Sequence, residues 1–127
     1  MLEPSRELDA TAGAVISAAL EVHRVLGPVF LESVYEDALA IELNLRSVCF
    51  ERQKSVSVFY KGQRIGEGRS DFLVETSLIV ELKAAERLLP VHQAQVLSYL
   101  KSTGLKRALL LNFGEARLVD GIKRFSL

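Results

Sequence analysis

"DFLVETSLIVELK", residues 71–83, reads as two short strands joined at Glu75-Thr76-Ser77, with Asp71, Glu81 and Lys83 set inside an otherwise apolar frame. A continuous run such as Leu78-Ile79-Val80 marks a strand covered on both faces, where an ionised carboxylate costs several kcal/mol unless it is paired. Glu81 therefore needs a stabilising partner. Side chains alternate along a strand, so Glu81 and Lys83 share one face while Val80 and Leu82 share the other. With Asp71 on the adjacent antiparallel strand, two carboxylates converge beside an ammonium group. Hard divalent cations such as Mg²⁺ take oxygen cages of this kind, completed by water and phosphate, and a cation there keeps both carboxylates ionised. Glu-x-Lys alone reads first as an ordinary ion pair on a strand leaving the core, so its surroundings carry the weight.

Upstream, Val56, Val58 and Tyr60 alternate against Ser55, Ser57 and Phe59 from Lys54 onward, Lys61-Gly62 supplies a turn, and a strand returns from Ile65 to Val74. Together with residues 78–83 this predicts a three-strand meander. Downstream, Pro90 opens a helix that Gly104 closes after Thr103. "RALLLNF", residues 107–113, follows as a fourth strand, and Asp120-Gly121 marks a turn or hairpin with room for one more strand.

Two helices precede the strands. Asp9 suits an N-cap, and Val15, Ile16, Ala19, Leu20, Val22, His23 and Leu26 recur at helical spacing until Gly27-Pro28. The second helix has Leu31, Val34, Tyr35, Ala38, Leu39 and Ile41 as its apolar stripe, Glu32, Glu36, Asp37 and Glu42 opposite, and an end near Arg46. The order ααβββαβ predicts an α/β fold, a mixed sheet flanked by helices, with the fourth strand reached through a crossover helix.

At 127 residues and 49% apolar content, the chain is expected to form one domain over residues 1–127. Sixteen basic and sixteen acidic residues cancel, so net charge gives no sign of a nucleic-acid or membrane partner. The balance shifts along the chain from −5 over residues 1–50 to +4 over residues 101–127, which permits a basic surface near the C-terminus. One cysteine, Cys49, excludes an internal disulfide and a multi-cysteine zinc site, and is expected to be a buried, inert thiol. No apolar run reaches the ~18 residues of a membrane span, and "MLEPSRELDA" lacks a signal-peptide core, so a cytoplasmic, soluble protein is expected.

On the helix from Pro90, His92, Gln95 and Tyr99 fall on one face, with Ala94, Leu97 and Leu100 left to serve the core. With Glu32 upstream, the order becomes Glu, Asp, Glu-x-Lys, Gln-x-x-x-Tyr. At this point the chain resembles the PD-(D/E)XK nuclease superfamily, with its restriction-endonuclease-like core. Within it, "EVHRVLGPVFLESVYEDAL", "GRSDFLVE", "IVELKA", "HQAQVLSYL" and "LLLNFG" resemble blocks of the small prokaryotic family named for a GxxExxY motif. Glu32 and Tyr35 match that motif, while Val29 stands where the family has glycine.

The resemblance implies a nuclease that hydrolyses phosphodiester bonds, in DNA, with Mg²⁺ or Mn²⁺. Asp71, Glu81 and the Leu82 carbonyl would hold the metal, Lys83 would orient or activate water, and Glu32 would support metal or water. Gln95 and Tyr99 would organise the site and the DNA end. Read from the residues alone, Glu32 is equally a solvated residue favoured by the helix dipole, and His92 either a surface residue or a phosphate contact. Tyr35 fits the core as well as a site, and His23 reads as a hydrogen-bonded core histidine. The alternative function is a noncatalytic nucleic-acid- or protein-binding module on the same fold, and a homo-oligomer is compatible with either. "GEGRSD", residues 66–71, begins like a dinucleotide fingerprint, but Asp71 takes the third glycine position and no helix follows, which excludes nicotinamide binding. Neither histidine has a Ser or Cys partner at a telling spacing.

Overall fold

The computed structural model describes residues 4–127. Helices α1 (Pro4–Leu26) and α2 (Glu32–Leu45) precede β1 (Phe50–Tyr60), β2 (Gln63–Val74) and β3 (Leu78–Lys83). Helix α3 (Pro90–Thr103), β4 (Arg107–Asn112), a 3₁₀ turn (Leu118–Gly121) and β5 (Ile122–Ser126) follow. The strands form one sheet in the order β1-β2-β3-β4-β5, antiparallel except for the β3–β4 pair, which α3 connects as a crossover. The mixed α/β sheet flanked by helices matches the sequence expectation, including the additional strand.

Because β3 and β4 lie between two helical layers, their runs are apolar on both faces. Leu78, Val80 and Leu82 pack toward α1 and α2 with Phe72, Leu109, Leu111 and Phe113. Ile79, Ala108 and Leu110 pack toward α3 with Val96, Tyr99 and Leu100. Glu81 is the one charged side chain buried among them.

Helix phases differ from the sequence expectation. Asp9 lies inside α1 instead of capping it, and its carboxylate pairs with Arg107 on β4 at 2.5 Å. Leu20 is exposed, and Ala18 takes a core position with Val15, Ala19 and Val22. In α2 the expected stripe is rotated: Leu31, Val34 and Ile41 are exposed, while Tyr35, Leu39, Ala40 and Leu43 are buried. Tyr35 sets this phase, its ring stacked on Phe113 with centroids 4.6 Å apart. Strand β1 begins at Phe50, before the expected Lys54, because the Phe50 ring packs edge-on against Phe72 and the β1–β2 ladder runs on to Val74. Cys49 is exposed, its N–H donating to the Glu75 carboxylate at 3.0 Å; it sits in the connection ahead of β1, outside either apolar layer. His23 is buried as expected, its Nε2 2.9 Å from the Glu115 carbonyl.

Helix α3 docks through Val96, Tyr99 and Leu100, leaving Ala94 and Leu97 on its exposed side, contrary to expectation. The stabilities of two truncations should separate accordingly. Leu100→Ala leaves a cavity at a fully buried position and should cost about 2–5 kcal/mol. Leu97→Ala should stay within about 0.5 kcal/mol of the unmodified protein, as exposed substitutions do. Urea unfolding of the two variants checks this, and equal losses would place α3 in a different phase.

Candidate active site

The site begins where β2 and β3 face each other beyond the Phe72–Val80 pair. There the backbone of each strand donates to the carboxylate of the other. The Asp71 N–H reaches Glu81 Oε1 at 3.2 Å, and the Leu82 N–H reaches Asp71 Oδ2 at 2.8 Å. These crossed bonds hold two acids side by side at the rim of the core. Glu81 is only 3% exposed, and its pKa is pushed up to about 9, first by burial and then by the negative charge of Asp71. The adjacent Ser70 hydroxyl offsets part of that rise. At neutral pH and with no cation present, Glu81 therefore keeps its proton.

Lys83, two residues after Glu81 on the same strand, is partly exposed and forms no ion pair among the described residues. Helix α2 brings Glu32 to this end of β3. Burial raises the Glu32 pKa, Lys83 opposes the rise, and Asp71 and Glu36 add to it. Glu32 is thus a half-buried acid within electrostatic reach of both Lys83 and Asp71, not a fully solvated first-turn residue. Its placement depends on Tyr35. The Tyr35 hydroxyl donates to the Gly27 carbonyl and accepts the Phe30 N–H at 3.1 Å, pinning the α1–α2 connection that carries Val29. Tyr35 is fully buried and holds the helix start from beneath, while Val29 is 78% exposed.

From the α3 side comes Tyr99, whose hydroxyl accepts the Gln95 Nε2 proton at 3.2 Å. Burial raises the Tyr99 pKa first, and the Glu81 charge raises it further, which ties this phenol to the carboxylate pair. Gln95 reaches the site through Tyr99. His92 does not join them: its Nδ1 accepts the Leu89 N–H at 3.1 Å, so the ring caps the start of its own helix.

Four residues around the site have no role in the sequence reading. Gln53 sits in β1 between the Arg52–Phe72 and Lys54–Ser70 pairs, with a left-handed φ of 51°. Its amide donates to Glu36 at 2.6 Å and to Asp71 Oδ1 at 3.3 Å, linking α2 to the site, while Arg52 pairs with Glu36 and Asp37. An expected strand start at Lys54 hid this residue. Asn112 is fully buried and grips Ala85 through both its N–H and its carbonyl, at 3.0 and 2.9 Å. Gly114 lies so close to Ala85 that a β-carbon there would stand 2.2 Å from the Ala85 oxygen. With the Phe113 N–H bonded to the Lys83 carbonyl at 2.8 Å, this clamp secures the backbone just after Lys83.

Gly68 is the fourth. A β-carbon at Gly68 would lie 2.8 Å from both Tyr99 Cε1 and its hydroxyl oxygen. A glycine inside a strand signals a close approach, so the sequence marks the position without naming Tyr99 as the partner. Gly68→Ala should displace the Tyr99 ring and destabilise by about 1–3 kcal/mol. In a double-mutant cycle with Tyr99→Ala the penalty should shrink, giving a coupling of about 0.5–3 kcal/mol. Additive losses would show that Tyr99 does not hold Gly68 in place.

Among the described residues no three His, Cys, Asp or Glu side chains converge as a ready-made cluster. The Asp71–Glu81 pair nonetheless suits Mg²⁺ or Mn²⁺, since Mg²⁺ is commonly held by one or two carboxylates with water filling its other positions. A buried acid raised by its neighbour's charge is what a divalent cation relieves. Against known families, a model of the PD-(D/E)XK nuclease superfamily matches residues 9–125. The chain belongs to the PD-(D/E)XK nuclease superfamily. That match takes in α2, strands β1 to β4, most of β5 and α3, and so every residue of the site just described. Characterised proteins and solved structures give no significant match. Membership of the superfamily points to a nuclease-like function, and the superfamily usually uses Mg²⁺ or Mn²⁺. No helix among the described residues is long and apolar enough to cross a membrane.

Proposed function

We propose that this chain is a metal-dependent nuclease hydrolysing phosphodiester bonds in DNA, of the GxxExxY group within the superfamily. The observation that carries the reading is the crossed hydrogen bonding of Asp71 and Glu81, with Lys83, in no ion pair among the described residues, two residues on. Asp71 and Glu81 would hold the cation. Leu82 turns its N–H to Asp71, and because a strand residue sends N–H and C=O to the same side, its carbonyl is the third candidate ligand. When bound there, Mg²⁺ or Mn²⁺ neutralises charge on the phosphoryl oxygens and supplies an acidified water.

The chain's own groups do the rest. Lys83 Nζ stabilises negative charge on the phosphate and orients the attacking water. Glu32, with its raised pKa, accepts a proton from that water as its oxygen bonds to phosphorus; the P–O bond to the leaving sugar oxygen breaks, and that oxygen takes a proton from solvent while Glu32 releases its own. Tyr99, steadied by Gln95, fixes the position of the scissile strand. His92 acts as a helix cap.

A cleavage panel tests the reading: linear, circular, single-stranded and duplex DNA with Mg²⁺ or Mn²⁺, and an Asp71→Ala control. Cation-dependent cleavage that the control lacks supports it, whereas activity surviving in the control points to a contaminant. Nucleic-acid binding without cleavage of any substrate would favour the noncatalytic module, which the net charge of zero also suits.

Lys83→Ala should lower cleavage by about 10²–10⁴-fold, the range of a positioned acid–base or charge-stabilising group. Mn²⁺ affinity measured by calorimetry should change little, since an ammonium cannot ligate a cation. A collapse of affinity together with activity would make Lys83 a structural support of the acid pair.

A further inference from the structure

The β1–β2 hairpin carries more than the site requires. Strand β2 pairs with β3 only over Phe72–Val74, while its ladder with β1 runs out to the Tyr60–Gln63 pair, so the outer part of the hairpin is a two-stranded ribbon beyond the body of the sheet. Its base is anchored, because Val56 is buried against Val96, Tyr99 and Leu100 of α3. Its tip is not: Phe59, Tyr60 and Ile65 are each more than 60% exposed. A register shift between Val58 and Phe59 leaves Ile65 as an extra residue, and such bulges increase the local twist.

Three large apolar side chains at the tip of a ribbon add nothing to the core. Their setting is charged on both strands. Residues 53–66 contain Lys54, Lys61 and Arg64; Lys54 pairs with Glu51 and Arg64 with Glu67 just outside that span, while Lys61 forms no ion pair among the described residues. Each aromatic has a cation beside it, since Lys61 Nζ lies 5.4 Å from the Tyr60 ring centroid and Arg64 is the cross-strand partner of Phe59. Exposed aromatic faces interleaved with cations stack on unpaired bases and neutralise phosphates. Bases within a duplex have no free face to offer. From Arg64 the strand runs through Arg69 to Asp71, about 23 Å at ~3.3 Å per residue.

We infer that the β1–β2 ribbon is a docking arm for single-stranded nucleic acid, with Phe59 and Tyr60 as stacking platforms and Lys61 as the phosphate contact beside them. The direction of the bound strand toward Asp71 rests on the nuclease reading; the binding itself does not.

The test uses the full chain carrying Asp71→Asn, in EDTA, with fluorescein-labelled mixed-sequence DNA as a single strand and as a duplex, followed by anisotropy at several NaCl concentrations. The single strand should bind more tightly than the duplex. Phe59→Ala with Tyr60→Ala should weaken that binding about tenfold or more, while Tyr60→Phe, which keeps the ring, should retain it. Lys61→Gln should reduce the slope of log affinity against log salt by about 0.7, for the one phosphate that is no longer neutralised. All variants should melt within a few degrees of the parent, since the substituted side chains are exposed. Unchanged affinity in the aromatic variant overturns the inference, as does a preference for duplex. So does a tip variant that alters only self-association, which would assign the free β1 edge to a second copy of the chain. Ribbon-dependent binding in a protein that cleaves nothing removes the nuclease reading alone, and cleavage with ribbon-independent binding removes this inference alone.

Discussion

Asp71→Asn should eliminate cleavage, by four orders of magnitude or more, and leave the metal-free protein as stable as before or up to about 2 kcal/mol more stable. The loss of activity follows from removing one of two carboxylates available to a cation, about 5 kcal/mol of transition-state stabilisation on the usual scale. The stability follows from the geometry. Asp71 faces Glu81 across the β2–β3 pair, and its charge is the second contribution, after burial, to the raised Glu81 pKa. Asparagine keeps the shape and an oxygen for the Leu82 N–H, so no cavity opens, and without the Asp71 charge Glu81 ionises more readily, which relieves the proton uptake that folding otherwise requires at neutral pH. Mg²⁺ at about one hundred times its dissociation constant should add roughly 2.7 kcal/mol to the unmodified protein and little to the variant. Thermal melts of both proteins in EDTA and in Mg²⁺ decide it. A variant that melts several degrees lower in EDTA and gains equally from Mg²⁺ would make Asp71 a structural anion.

The metal-free protein should also lose stability as pH rises, and Glu81 should be the main cause. Its folded pKa of about 9 lies above the ordinary value of 4.5. Below pH 4.5 both folded and unfolded chains carry the proton, and burial of this side chain costs little. Between 4.5 and about 9 the folded protein retains a proton that the unfolded chain releases, so stability falls with pH, by at most about 1.4 kcal/mol per unit. Above that window the contribution levels off. Glu81→Gln, neutral throughout, should flatten the slope in EDTA and be more stable than the parent at pH 8. Because a bound cation expels the proton, metal affinity should rise across the same window. Urea unfolding in EDTA at pH 5, 7 and 9, with Mn²⁺ titrations alongside, checks both parts. A Gln variant that keeps the parent's slope would place the titrating group elsewhere.

How much of this was legible in the sequence depends on the range of the interactions involved. Strand β3 matched at both ends because its apolar run is bounded by turn residues on one side and by Glu81 and Lys83 on the other. Helix α3 matched at both ends because proline and glycine act on the backbone beside them. Helix phase was less legible. Val34 and Ile41 are as apolar as Leu39 and Leu43, so composition could not say which stripe faces the sheet. The Tyr35–Phe113 stack chose, and Phe113 lies far away in sequence. Leu97 was misplaced for the same reason, because Gly68 opens the space that Tyr99 fills and Tyr99 then turns Val96 and Leu100 inward.

From its residues alone, the chain determined an α/β order with a crossover helix and a sheet-embedded Asp, Glu-x-Lys set. Alternation and turn chemistry act over a few residues and leave a local pattern. The tertiary structure decided the rest: the crossed Asp71–Glu81 contact, the Tyr35 pin that brings Glu32 to Lys83, the Gln53 link, and the Asn112 clamp on Ala85. Each joins separate elements through hydrogen bonds or burial. Such contacts, and the pKa shifts they cause, exist only once the chain has closed the distance between them.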